Sequence, residues 1–196
     1  LMVLGDEKSD ADDPEGAISD YTRAIEINPH YTNAYVNRGK AKDKLGDYQG
    51  AIADYNKAIA IDPQNARVYV LIGVIKMAFS AYQEAIDDFS KAIDIDSLNV
   101  DAYFNRFIAK SMLYDEIGAM TDINKVIIID PKHTSAFIQR AAAKADLGDY
   151  DAAISDFDKA IELDGDNSFP FKLQGDAKIK INDKSGAILD YGKAHE

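Results

Sequence analysis

The sequence contains no cysteine and no tryptophan. Without cysteine, a disulfide framework and a thiolate metal site are both excluded, and the composition fits a reducing compartment. No apolar run reaches 18 residues. The most apolar window, residues 68–75, is short and flanked by Arg67 and Lys76, so it reads as a buried helix and not as a membrane span. No signal-peptide pattern is visible, and together these absences favour a cytoplasmic location. Positive charge is scarce as well: 22 Lys and Arg stand against 34 Asp and Glu, for a net charge of −12. Phosphate binding needs clustered basic side chains, which argues against a nucleic-acid partner. The same field disfavours anionic membranes and favours basic partners.

Catalytic groupings are missing too. The three histidines, His30, His133 and His195, lie far apart, and no Ser-His-Asp or Cys-His arrangement can be drawn. No glycine loop of the phosphate-cradling kind occurs. The run DGDNS at 164–168 lacks the glycine and closing glutamate of a calcium loop and reads as a turn. The expectation is therefore no catalytic, cofactor-binding or metal-binding residues, no cofactor, and no enzyme activity.

What is present is a period. The stretch 32–65 recurs at a spacing of 34 residues without an insertion. Ala17, Ala51, Ala85, Ala119, Ala153 and Ala187 mark one position, and Asp20, Asp54, Asp88, Asp122, Asp156 and Asp190 mark another. Tyr21, Tyr55, Phe89, Phe157 and Tyr191 follow the aspartates, broken only by Ile123. A fixed period of this length is the signature of a solenoid. Each repeat reads as two helices around a turn. In the reference repeat, helix A covers about 34–45, with Tyr35, Arg38, Gly39, Lys42 and Leu45 on one face. Gly46-Asp47 punctuates the chain, helix B covers about 49–61, and Asp62-Pro63 stops it because the residue before proline avoids the α region. Gly39 opposite Ala51 and Ala58 allows close backbone approach. No repeat buries its apolar face alone, so neighbours must stack.

Tyr35, Gly39, Tyr48, Ala51, Tyr55, Ala58 and Pro63, in this order across 34 residues, resemble the tetratricopeptide repeat (TPR). The resemblance covers essentially the whole chain as a single array, in repeats 1–31 (partial), 32–65, 66–99, 100–133, 134–167 and 168–196 (partial). It implies an all-α α-α solenoid, with stacked antiparallel helix pairs forming a right-handed superhelix. The ends of the sequence look like those of a piece of something longer, and the last helix is expected to expose an apolar edge. Repeat 4 departs from the pattern: Phe107 stands at the Gly39 position, Tyr114 at Gly46, Ile123 at Tyr55 and Val126 at Ala58. A phenylalanine there is expected to splay or shift that helix pair.

The aspartate ladder is expected to be structural, because its rungs lie a helix pair apart, too far to share one ion. Pairs with Arg23, Lys57, Lys91, Lys125, Lys159 and Lys193, three positions on, would contribute about 0.2–0.5 kcal/mol each. Lysines recurring on helix A (Lys8, Lys42, Lys76, Lys110, Lys144, Lys178) read as a salt-bridged face. The acidic run Asp6, Glu7, Asp10, Asp12, Asp13 and Glu15 reads as a solvated face and turn.

The TPR resemblance further implies a concave groove lined by helix A. By phase, repeat 2 contributes Asn33, Val36, Asn37, Lys40 and Lys44. Repeat 3 contributes Arg67, Val70, Leu71, Val74 and Met77. Repeat 4 contributes Asp101, Phe104, Asn105, Ile108 and Met112, and repeat 5 contributes Ser135, Ile138, Gln139 and Ala142. The middle of this groove is apolar, as contact surfaces are. Chaperone-binding TPR proteins clamp a terminal carboxylate with Lys and Asn side chains. Around Asn37 the corresponding positions hold Met2, Asp6, Arg67 and Leu71; around Asn105 they hold Val70, Val74, Ser135 and Gln139. No such clamp is expected. The expected role is a scaffold that binds a protein or peptide through apolar anchors. The alternative is self-association into dimers or filaments through apolar faces or uncapped ends.

Overall fold

A computed structural model describes residues 2, 5, 6 and 13–195. Lys8 and the acidic positions Glu7, Asp10 and Asp12 lie outside the described residues. The described residues form eleven helices and no strand, an all-α helical repeat solenoid. The helices are α1 (Pro14–Ile27), α2 (Thr32–Lys44), α3 (Tyr48–Ile61), α4 (Ala66–Ala78), α5 (Tyr82–Ile95), α6 (Val100–Met112), α7 (Glu116–Ile129), α8 (Thr134–Asp146), α9 (Tyr150–Leu163), α10 (Ser168–Lys180) and α11 (Lys184–Lys193). The chain divides into two compact halves, 1–102 and 103–196. In the first, α2 packs on α3 and α4 on α5, while α1 meets α2 and α3 meets α4. In the second, α8 packs on α9 and α10 on α11, with α7 against α8 and α9 against α10.

Short polar signals set the helix boundaries. Asp47 accepts a hydrogen bond from the Gly50 N–H at 2.9 Å and caps α3. Asp13, Asp115, Asp149 and Asp183 do the same for α1, α7, α9 and α11. Such a cap is worth about 1 kcal/mol. Ala81 begins α5 with no side-chain cap. The residue immediately before Asp47, Ala81, Asp115, Asp149 and Asp183 ends the preceding turn in the left-handed region: Gly46 at φ 80° and Gly148 at φ 83°, but Ser80, Tyr114 and Asn182 at φ 60°, 59° and 66°. Glycine enters that region without a Cβ penalty.

The core is built from the repeating small and aromatic positions. Ala51, Tyr55, Ala58 and Val68 are fully buried, with Ile72 and Ile75 beside them. A Cβ added at Gly39 would lie 2.5 Å from Tyr55 Cε1, and one at Gly73 would lie 2.6 Å from Phe89 Cε1. The glycine therefore makes room for the ring. Repeat 4 satisfies the same volume by exchanging sides: Phe107 is 4% exposed and Ile123, where the ring would be, is fully buried. Phe107 is accommodated with the cross-helix contacts of repeat 2 kept: Arg106 and Lys110 hold Asp122 as Arg38 and Lys42 hold Asp54. Lys110 Nζ reaches the Gly118 carbonyl at 3.3 Å, as Lys42 Nζ reaches that of Gly50 at 3.5 Å in repeat 2.

The aspartate ladder also differs from expectation. Asp54, Asp122 and Asp156 do not pair along their own helix; each is buried and faces helix A of its repeat. Arg38 grips Asp54 with two hydrogen bonds of 2.8 and 2.6 Å, and Lys42 adds an ion pair at 2.8 Å. Arg106 with Lys110 holds Asp122 in the same way, and Arg140 with Lys144 holds Asp156. The guanidiniums of Arg38, Arg106 and Arg140 each lie 5.6 Å from the ring centre of Tyr35, Tyr103 or Phe137. Lys159, assigned to Asp156 by spacing, pairs instead with Glu162 at 2.8 Å. The cause is orientation: the aspartate lies on the buried face of helix B, and the basic residue three positions on points to solvent. The third guanidinium nitrogen reaches the preceding repeat, where Thr22 accepts from Arg38 at 3.1 Å and Asn124 accepts from Arg140 at 2.7 Å. One arginine thus joins two helices B across the stack. Repeat 3 has Ile72 in that position, and only Lys76 reaches Asp88, at 2.8 Å.

Candidate interaction surface

In the first half, the residues assigned to the groove occupy α2 and α4. Asn33 and Arg67 are exposed, Asn37 and Lys40 half-buried. With Met2, Asp6, Tyr31, Val36 and Asn65, residues Asn33, Asn37 and Arg67 line an open polar cleft of about 450 Å³. The structure therefore gathers Met2, Asp6 and Arg67, three of the four clamp positions around Asn37. Their chemistry opposes a carboxylate, because Asp6 is itself acidic. Its carboxylate already accepts from the Asn37 amide at 2.9 Å and from the Tyr21 hydroxyl at 2.7 Å. Burial, and then the positive charge of Arg67, push the Lys40 ammonium below the usual lysine range.

Towards the C-terminal part of α4 the surface becomes apolar. Val74 is 43% exposed, Leu71 and Met77 are half-buried, and Val70 is buried at 9%. Leu71 also packs against the core around Val68 and Ile72. Val74 and its neighbours thus offer contact area, while Val70 supports it from beneath.

In the second half, Phe104, Asn105 and Ile108 on α6 are half-buried and Met112 is 51% exposed. The Phe104 ring lies 5.0 Å from that of His133 and 6.3 Å from that of Phe107. His133 in turn accepts the Ala136 N–H at 3.1 Å through Nδ1 and so caps α8. On α8, Gln139 is exposed and Ile138 is buried at 6%. Val70 and Ile138 share a position one repeat-pair apart, and both serve packing more than display. The sequence did not anticipate a second depression in this half, about 340 Å³, lined by Phe107, Ser111, Tyr114, Glu116 and Leu147 among others. Its one sequence signal was a tyrosine where the turn wants glycine.

Among the described residues, no group of three or more His, Cys, Asp or Glu side chains is arranged to hold a metal ion. No helix among them is long and apolar enough to cross a membrane.

Comparison with known proteins agrees with this architecture. A family model described as TPR repeat matches residues 44–78, and one described as tetratricopeptide repeat matches 1–31, 66–97 and 134–167. No curated protein sequence matches the chain. Among solved structures, that of Pseudomonas aeruginosa pilF superposes with a TM-score of 0.85 at 20% identity, over 96% of this chain and 86% of that one. MamA gives 0.76 at 26% identity, over 84% of this chain and 96% of its own. YrrB, described as a TPR protein with an unusual peptide-binding site, gives 0.73 at 25% identity, over 89% and 90%.

Proposed function

Because the chain belongs to the tetratricopeptide repeat family, we propose that it is a non-enzymatic scaffold for protein–protein interaction that holds a peptide or partner helix along its helix-A surface. The observation that carries this reading is apolar exposure on helices A: Val74 (43%) with the half-buried Leu71 and Met77 in the first half, and Met112 (51%) with the half-buried Phe104 and Ile108 in the second. Folding gains nothing from keeping such side chains in water, whereas a partner covering them recovers roughly 25 cal/mol per Å² before ordering costs. Asn37, Asn105 and Gln139, with Lys40 and Arg67, supply polar groups for a partner's backbone and acidic side chains. The chemistry of the Asp6–Asn37–Arg67 cleft speaks against a chaperone-type clamp.

A screen of short peptides against the wild type and against Leu71→Glu/Ile108→Glu tests the reading. Binders that the double variant loses with unchanged helicity support it. Binders that the variant retains refute it.

One observation favours self-association as a second reading. Ile188 and Leu189 on α11 are 71% and 68% exposed, whereas Ile52, the counterpart of Ile188, packs against the core of its own half. A dilution series in sedimentation velocity separates the two readings: a scaffold stays monomeric, and an assembly through these faces dissociates.

A further inference from the structure

The turn between α6 and α7 carries two costs that the fold does not require. Tyr114 adopts φ 59°, a left-handed conformation that penalises any side chain with a Cβ. Its ring is also 88% exposed, so no packing offsets the strain. The equivalent residues Gly46 and Gly148 make the same turn at φ 80° and 83° without that penalty. Next to it, Ile117 is 85% exposed, Leu147 59% and Leu113 43%. Tyr114 and Leu147 line the first of two adjoining depressions, and Ile117 and Leu147 line the second. The first, about 340 Å³, has Phe107, Ala119 and Met120 among its lining residues. The second, about 350 Å³, is lined by Ile117, Met120, Thr121 and others. Phe107, the residue that replaces the usual glycine of helix A, supplies part of the apolar wall of the first.

Charge narrows the occupant. Glu116 lines both depressions and Asp146 the first. Among the described residues, no basic side chain lines either one. Lys110 and Lys144, the nearest lysines in sequence, are committed to Asp122 and Asp156 at 2.7 Å. An apolar hollow with an unpaired acidic rim matches an apolar anchor with a cation beside it.

We propose that the surface around Tyr114 is a second docking site, separate from the helix-A surface, which takes a partner segment bearing one large apolar side chain flanked by lysine or arginine. Tyr114 closes over the anchor, Ile117 and Leu147 widen the contact, and Glu116 with Asp146 pairs the flanking cation. The strain at Tyr114 is then retained for binding.

The test is a selection of short random peptides displayed on phage against the full chain, with the chosen peptides titrated against three variants. Peptides pairing a large apolar residue with a nearby lysine or arginine should emerge. Tyr114→Gly and Ile117→Ser should each weaken them by roughly tenfold or more, while Leu71→Glu leaves them unchanged. Replacing the peptide's basic residue by glutamate should abolish binding. Tyr114→Gly should also melt at the same temperature as the wild type or higher, since glycine relieves the turn. The proposal is overturned if selected peptides bind Tyr114→Gly and Ile117→Ser as tightly as the wild type, or if they bind equally well with glutamate in place of the cation. It is also overturned if Tyr114→Gly lowers the melting temperature, which would make the tyrosine structural. A wild-type dimer that Tyr114→Gly dissolves would likewise overturn it, by assigning the face to a second copy of the chain.

Discussion

Among single residues, Asp156, held like Asp54 and Asp122, and Asp88, which breaks that pattern, give the clearest contrast. Burial disfavours the Asp156 carboxylate, but hydrogen bonds from Arg140 and Lys144 outweigh it and hold the group below the usual carboxylate range. Asp88 lacks the arginine, so burial prevails over Lys76 and the group is pushed up. Asp156 therefore contributes stability above its unfolded value, about 4, and loses it as pH falls through the lower folded value. Asp88 works the other way: it binds a proton more readily when folded, so stability falls as pH rises from about 4 through its raised folded value. At pH 7, Asp156→Asn should cost about 3 kcal/mol, because Arg140 and Lys144 are left without their counter-ion. Asp88→Asn should be neutral or stabilising, since Lys76 also lies 3.7 Å from Glu84. Chemical denaturation of both variants at pH 7 and at pH 3 reads the difference, and the gap between them should shrink in acid.

The helices show which devices the chain repeats and which it omits. Ala81 is the N-cap of α5 without an acceptor, so Ala81→Asp should stabilise the protein by about 1 kcal/mol, and Asp47→Ala should cost a similar amount. Thermal melts decide both. The glycine–ring contact and its exchange in repeat 4 make a double-mutant cycle possible. Gly39→Phe alone drives a ring into Tyr55 and should destabilise severely. Gly39→Phe/Tyr55→Ile reproduces the Phe107–Ile123 pair and should recover most of the loss, a strongly favourable coupling between contacting residues. If the double variant is as unstable as the single, the exchange depends on more of repeat 4 than these two positions.

For the molecule as a whole, the fold was legible because every repeat writes it again. A 34-residue period, the helix breaks at Gly46-Asp47 and Asp62-Pro63, and the small residues opposite aromatics fix helix number and pairing before any contact is known. What spacing alone missed was direction. Asp54 is three residues from Lys57 but faces Arg38, sixteen residues away, and a linear pattern does not say which face of helix B turns inward. The same blindness affected the surface. Val70 and Val74 sit one helical turn apart, yet the first is buried and the second exposed, because the neighbouring helices cover only one of them. Phe107 illustrates the reverse: its size forecast a disturbed pair, and the compensating Ile123 was visible in the same repeat.

On the proposed function, exposed apolar side chains of helices A receive the partner. Methyl NMR of the full chain, titrated with a peptide selected for binding, tests it most directly. The expected result is saturable shifts at the methyl groups of Leu71, Val74, Ile108 and Met112, with those of the buried Val68 and Val126 unmoved. Saturable binding that leaves all four of those side chains unperturbed would contradict it.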